Sequence, residues 1–201
     1  MTIEEKIALV KRNTEEFISQ IDKIGFNEDL GLVKFVLVSC LVDSVAAYGY
    51  QKQNNNEQYK NFIKKYLGQV NALYRNDQVA NVLYHGIRCS LIHSFTISKN
   101  ILLTEASDEK VHLSTNSNSH LIVDLVTFFN DLKKAIKLFF TDLNSGKGGL
   151  QKHFKKGFSK NPPFEIYKNV DLLDPNQPAT GTTEIKTISY RKVNFRRSNY
   201  S

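Results

Sequence analysis

The sequence predicts a mostly α protein: an antiparallel helical bundle with one small β-hairpin and an irregular, basic C-terminal segment. Three observations predict it. Apolar residues recur at helical spacing through most of the first 145 residues. Only the stretch FTISKNILLTEASDEKVHLST, residues 95–115, alternates apolar and polar residues as a strand pair does. Pro162, Pro163, Pro175 and Pro178 then mark an irregular region.

The elements follow in order. Residues 3–24 carry Ile7, Val10, Phe17, Ile21 and Ile24 at spacings of three, four and seven, with Thr2 and Glu5 placed as a capping box and Gly25 as the stop. Residues 29–50 are apolar around most of the helix circumference, as a central buried helix is. Gly49 and the polar run QKQNNN end it. Residues 57–67 read as a shorter helix carrying Tyr59, Phe62, Ile63, Tyr66 and Leu67. Residues 77–94 form the next, through Val79, Val82, Leu83, Ile87, Leu91 and Ile92. After the expected hairpin, residues 119–143 form a long amphipathic helix whose Phe128, Phe129, Phe139 and Phe140 suit a packed core better than a base-stacking platform. It ends at SGKGG, which lacks the spacing of a phosphate-binding loop. The short basic segment QKHFKKGFSK and a strand-like EIKTISYRKVNFRR complete the chain. The expected organisation is a helical domain over 1–145 and a basic extension over 146–201, packed on the domain or trailing from it.

Charge and composition narrow the function. Hydrophobic residues make up 41% and charged residues 23%, enough apolar material to bury a core. The net charge of +7 lies entirely in residues 146–201, because the first 145 residues are balanced. Within that basic quarter, Lys152, Lys155, Lys156, Arg191, Lys192, Arg196 and Arg197 are candidates to meet a phosphate backbone, beside the plainer reading of a solvated tail. Cys40 and Cys89 sit in apolar runs without disulfide or zinc spacing, as buried free thiols in a reducing compartment do. The N-terminal residues lack an apolar signal core. The longest mostly apolar run, 35–42, is far shorter than the roughly 20 residues of a membrane span. A cytoplasmic protein without membrane attachment is expected.

The segment that carries chemistry is 83–93, LYHGIRCSLIH, which sets His85, Arg88, Ser90 and His93 among apolar residues. Arginine is rarely buried without a partner. Asp43, inside the apolar second helix, needs a partner too and is the candidate to orient Arg88. Arginine clamps phosphate oxygens, and histidine donates or accepts a proton near neutrality. Together they suit RNA cleavage without a metal: a 2′-hydroxyl attacks the adjacent phosphorus, a base takes its proton, an acid protonates the leaving 5′-oxygen, and positive charge holds the non-bridging oxygens. On an ideal α-helix Arg88 and His93 stand about 140° apart, so a distorted turn, side-chain reach or a second subunit must complete the site.

An arginine followed by four to six residues and a histidine is the signature of the HEPN superfamily. The chain resembles that family in this segment and in the order of its elements over roughly residues 1–158, including LVSCLVDSV at 37–45 and LQKHF at 150–154. The resemblance implies a dimerising helical bundle that places two Arg/His pairs in one cleft. Family members are metal-independent endoribonucleases of toxin–antitoxin, phage-defence or CRISPR systems, or inactive binding modules. It further implies a phosphate-holding Arg88, a proton-handling His93, no cofactor, RNA as partner, and an antitoxin or nucleotidyltransferase as companion. Two positions depart from the pattern. Cys89 stands where many active members have asparagine, and Phe95 stands where one toxin branch has a tyrosine that its partner modifies.

The plainer readings remain open. Arg88 and His93 could be a polar network pinning helices together. His85 and Ser90 are candidates to assist, with a surface histidine as the alternative for His85. A metal reading of His85, Cys89 and His93 at four-residue steps lacks a fourth ligand, and no metal is expected. A non-catalytic dimeric module on the same fold is the alternative function.

Overall fold

The computed structural model describes residues 1–24, 31–51, 54–94 and 96–163, and these lie within one compact unit, Met1–Phe164. The expected C-terminal strand, Arg191, Lys192, Arg196, Arg197 and Phe95 lie outside the described residues.

Helix α1 (Ile3–Lys23) starts as its sequence dictates. The Thr2 hydroxyl accepts from the Glu5 amide at 3.2 Å and the Glu5 carboxylate accepts from the Thr2 amide at 2.7 Å, so two of the unpaired N-terminal donors are satisfied. Helix α2 (Gly31–Gly49) is the central element: it packs against α1, against α3 (Asn55–Phe62) and against the later helices of the unit. Its Phe35, Val38, Leu41, Val42, Val45 and Ala46 are buried.

Helix α3 continues through a π-helical turn, Ile63–Leu67, into one last turn, α4 (Gly68–Val70). The wider winding lets Tyr59, Phe62, Ile63, Tyr66 and Leu67 all be buried. A short 3₁₀ turn, Ala72–Arg75, leads to α5 (Asp77–Val82), the π-helical segment Leu83–Cys89 and α6 (Ser90–Ser94), which together form one rod.

The hairpin expected over 95–115 does not form. Strand β1 (Ile101–Thr104) instead pairs in parallel with β2 (Leu121–Asp124), matching Ile101 to Leu121 and Thr104 to Asp124. Parallel strands need a long crossover, which residues 105–120 supply. Thr115 makes an isolated antiparallel bridge to Leu121, outside the pairing expected within 95–115. The cause is Asp124. Its carboxylate accepts from the Thr127 amide at 2.8 Å and the Thr127 hydroxyl at 2.7 Å, so it caps α7 (Leu125–Asn144). The helix therefore begins at 125 rather than 119, and the β-branched pair Ile122 and Val123 is left for a strand.

Gly86 makes the close approach of β1 possible. A Cβ at this position would lie 2.2 Å from the Ile101 Cδ1 and 3.1 Å from the Ser98 Cβ. Gly86→Ala is therefore expected to cost about 1–3 kcal/mol through overpacking, read as a lower urea midpoint at unchanged slope.

Helix α8 (Leu150–Lys160), assigned from sequence to the extension, packs on α2. Phe154 is buried with its ring 5.6 Å from that of Tyr48. Its Lys152, Lys155 and Lys156 are exposed.

Candidate functional site

The π-helical segment Leu83–Cys89 positions the candidate site. A π turn closes its backbone hydrogen bonds at an interval of five residues rather than four. The Ser90 hydroxyl follows the same interval, donating to the His85 carbonyl at 2.9 Å. Arg88 and His93 are also five apart. Arg88 lies in the π segment and His93 in α6, and side-chain reach within one chain closes the separation expected from sequence: Arg88 Nη1 lies 3.2 Å from His93 Nε2. A guanidinium can only donate, so His93 Nε2 is the acceptor. That contact selects the neutral imidazole with its proton on Nδ1, the form able to take a proton.

Asp43 fixes the arginine from α2. Arg88 Nε donates to Asp43 Oδ2 at 2.6 Å, with side-chain exposures of 15% and 25%. This pair is shielded enough to be more than a surface ion pair, and open enough for ligand to reach. Burial pushes the Asp43 carboxyl above its ordinary range, although the bond to Arg88 and its charge pull it back. Burial draws the Arg88 guanidinium down, but the Asp43 bond and charge outweigh that and hold it above its ordinary value. The arginine stays cationic throughout.

Two residues not singled out from sequence complete the arrangement. The Arg88 guanidinium lies over the Tyr84 ring, 5.6 Å from its centroid. The Tyr84–Arg88 helical spacing was the available signal. Tyr59, fully buried, meets Tyr84 edge-on at 5.4 Å. Its hydroxyl is held neutral, because burial drives its pKa far up. Cys89, at the position of the departure noted above, brings its Sγ within 3.9 Å of Arg88 Nη1. A thiol there is only a weak acceptor.

The structure thus brings Arg88, His93 and Asp43 together. Ser90 bonds its own helix, and His85 is exposed with its ring edge-on to Tyr84 at 4.9 Å. Among the described residues no three His, Cys, Asp or Glu side chains gather as a metal site requires.

Helix α2 is long and apolar enough to cross a membrane by length and composition, but half of it is buried in the unit. The chain matches no family model, no curated protein and no solved structure.

Proposed function

We propose that the chain is a HEPN-type, metal-independent endoribonuclease of a bacterial defence or stress system, acting in the cytoplasm as a homodimer. The observation that carries this reading is the Arg88–His93 contact at 3.2 Å, with Arg88 anchored by Asp43. In this reading Arg88 Nη1 leaves His93 Nε2 for the phosphate, and the freed nitrogen of neutral His93 takes the proton of the attacking 2′-hydroxyl. Arg88 neutralises the non-bridging oxygens as negative charge builds on phosphorus. The 5′-oxygen leaves with a proton, and the products carry a 2′,3′-cyclic phosphate and a 5′-hydroxyl.

One chain supplies one histidine, whereas the reaction needs both an acid and a base. A second copy supplies the other group. The outward face of α2 suits such pairing: Leu32 and Val33 are 40% and 48% exposed, and half-buried Val36, Leu37 and Cys40 continue that face toward Asp43. Both described cysteines are free, in keeping with a reducing compartment.

The test is incubation of the purified protein with mixed RNA in EDTA. Cleavage is expected to persist and to leave cyclic phosphate ends, and sedimentation at micromolar concentration is expected to give a dimer. Loss of cleavage in EDTA, or a strict monomer, refutes the mechanism. The second reading, a non-catalytic dimeric interaction module, draws its support from Cys89. An active site with asparagine there has a stronger polar group beside the arginine than a thiol provides.

A further inference from the structure

Asp43 serves a second feature besides its bond to Arg88. With Ser44 and Tyr48 of α2, Asn55 at the start of α3, and Lys160 and Asn161 at the end of α8, it lines an open cleft of about 420 Å³. That volume falls within the range of small-molecule sites, which runs from about 300 to 1,000 Å³. The floor is tied down. The Tyr48 hydroxyl donates to the Asn161 carbonyl at 3.0 Å, and α8 presses so close to α2 that a Cβ on Gly157 would lie 3.0 Å from the Ala47 carbonyl oxygen.

The lining has a definite chemistry. With Gln58 it offers one carboxylate, two hydroxyls, three primary amides and one ammonium. An anion inside the cleft would face Asp43 and be repelled, whereas a neutral hydroxyl- and amide-bearing group would find donors and acceptors. The positive charge lies at the rim and leads away from it. Lys152, Lys156 and Lys160 recur every fourth residue, are all exposed, and stand about 6 Å apart along one face of α8. That row ends at the cleft. Its spacing suits successive phosphates of an extended single strand.

We propose that the cleft holds one unstacked nucleoside of a single-stranded RNA, next to the phosphate gripped by Arg88, and that the α8 lysines guide the strand into it. This rests on the reading of Arg88 and His93 as an RNA site. Asp43, already oriented by Arg88, accepts from a ribose hydroxyl; the Asn55 amide pairs with a base edge; Lys160 takes the adjoining phosphate. A duplex, whose bases are paired and stacked, does not enter.

The experiment uses the full-length protein, a fluorescein-labelled single-stranded RNA decamer and fluorescence anisotropy in EDTA. Asn55→Trp fills the mouth of the cleft from an exposed position, and Lys160→Glu reverses the rim charge. Each is expected to weaken binding at least tenfold. Lys137→Glu, an exposed lysine on α7, should change it less than twofold, and a duplex of the same sequence should compete at least tenfold less well than the single strand. Parent-like binding by both cleft variants overturns the proposal, as does a parent protein that binds no RNA. If Asn55→Trp fails to fold, Lys160→Glu decides. The two readings separate cleanly. Binding that depends on the cleft without any cleavage leaves the nucleoside site standing and removes the nuclease. Cleavage that needs His93 but ignores both cleft variants does the reverse.

Discussion

His93→Ala is expected to slow RNA cleavage by two to four orders of magnitude, the usual worth of a positioned proton-transfer group, while the protein melts as the parent does. The imidazole is exposed, so its removal leaves no buried partner stranded; substitutions at such positions stay within about 0.5 kcal/mol. Arg88→Ala should behave differently. It removes the phosphate clamp and also leaves Asp43 without its bond at 2.6 Å, so cleavage and RNA affinity fall together with a stability loss of about 1–3 kcal/mol. If the trio only pins α2 to the α5–α6 rod, there is no cleavage to lose, and Arg88→Ala shows its stability cost alone. Cleavage rates and melting temperatures of the same two variants distinguish these cases. Undiminished cleavage in His93→Ala ends the proposed mechanism.

Part of this arrangement was legible in the sequence for a simple reason. A carboxylate at position 43 in an apolar helix and an arginine at 88 in another are each too costly to bury alone, and pairing relieves both. The α1 capping box was legible because Thr2 and Glu5 act within one turn. The meeting of Arg88 with His93 was not, because it depends on side-chain reach across the junction of the π segment with α6. A π turn carries no composition of its own; it arises where neighbouring helices reward a shifted register. The same holds at Ile63–Leu67, where Ile63, Tyr66 and Leu67 are all buried.

The strand pairing failed for a different reason. Alternation over 95–115 was real, but a hairpin needs its two halves to face each other, whereas the buried partner of Ile101–Thr104 is Leu121–Asp124. Those four residues continue the apolar period of α7. Only the Asp124 cap, bonded to both the amide and the hydroxyl of Thr127, shows where the helix starts. The cleft beside Asp43 was equally hidden, since it draws on α2, α3 and the distant α8.

The crossover also builds a buried polar chain from residues far apart in sequence, and it sets the protein's response to acid. The Asp124 amide donates to His112 Nδ1 at 3.1 Å, so the neutral ring carries its proton on Nε2. That Nε2–H donates to the Tyr74 hydroxyl at 2.6 Å, and the Tyr74 hydroxyl donates to Asp131 Oδ2 at 3.3 Å. Protonating His112 would set an Nδ1–H against the Asp124 N–H inside the core. Burial accordingly lowers the His112 pKa from 6.5 to about 4, with only the Asp124 charge acting the other way. Between these two values the unfolded chain binds a proton that the folded chain refuses. Stability from this group is therefore complete above pH 6.5 and falls as the pH drops toward 4, by about 3 kcal/mol in all. Asp131, whose carboxyl burial raises, opposes part of the loss at the acid end, because the folded state takes up that proton first. His112→Gln isolates the histidine. Its amide can still accept from Asp124 and donate to Tyr74, but it does not titrate. Urea midpoints measured from pH 7 to pH 4 should fall less steeply in His112→Gln than in the parent. Parallel curves would mean that His112 is protonated in the folded core, and the hydrogen-bond directions assigned to Tyr74 and Asp124 would then be wrong.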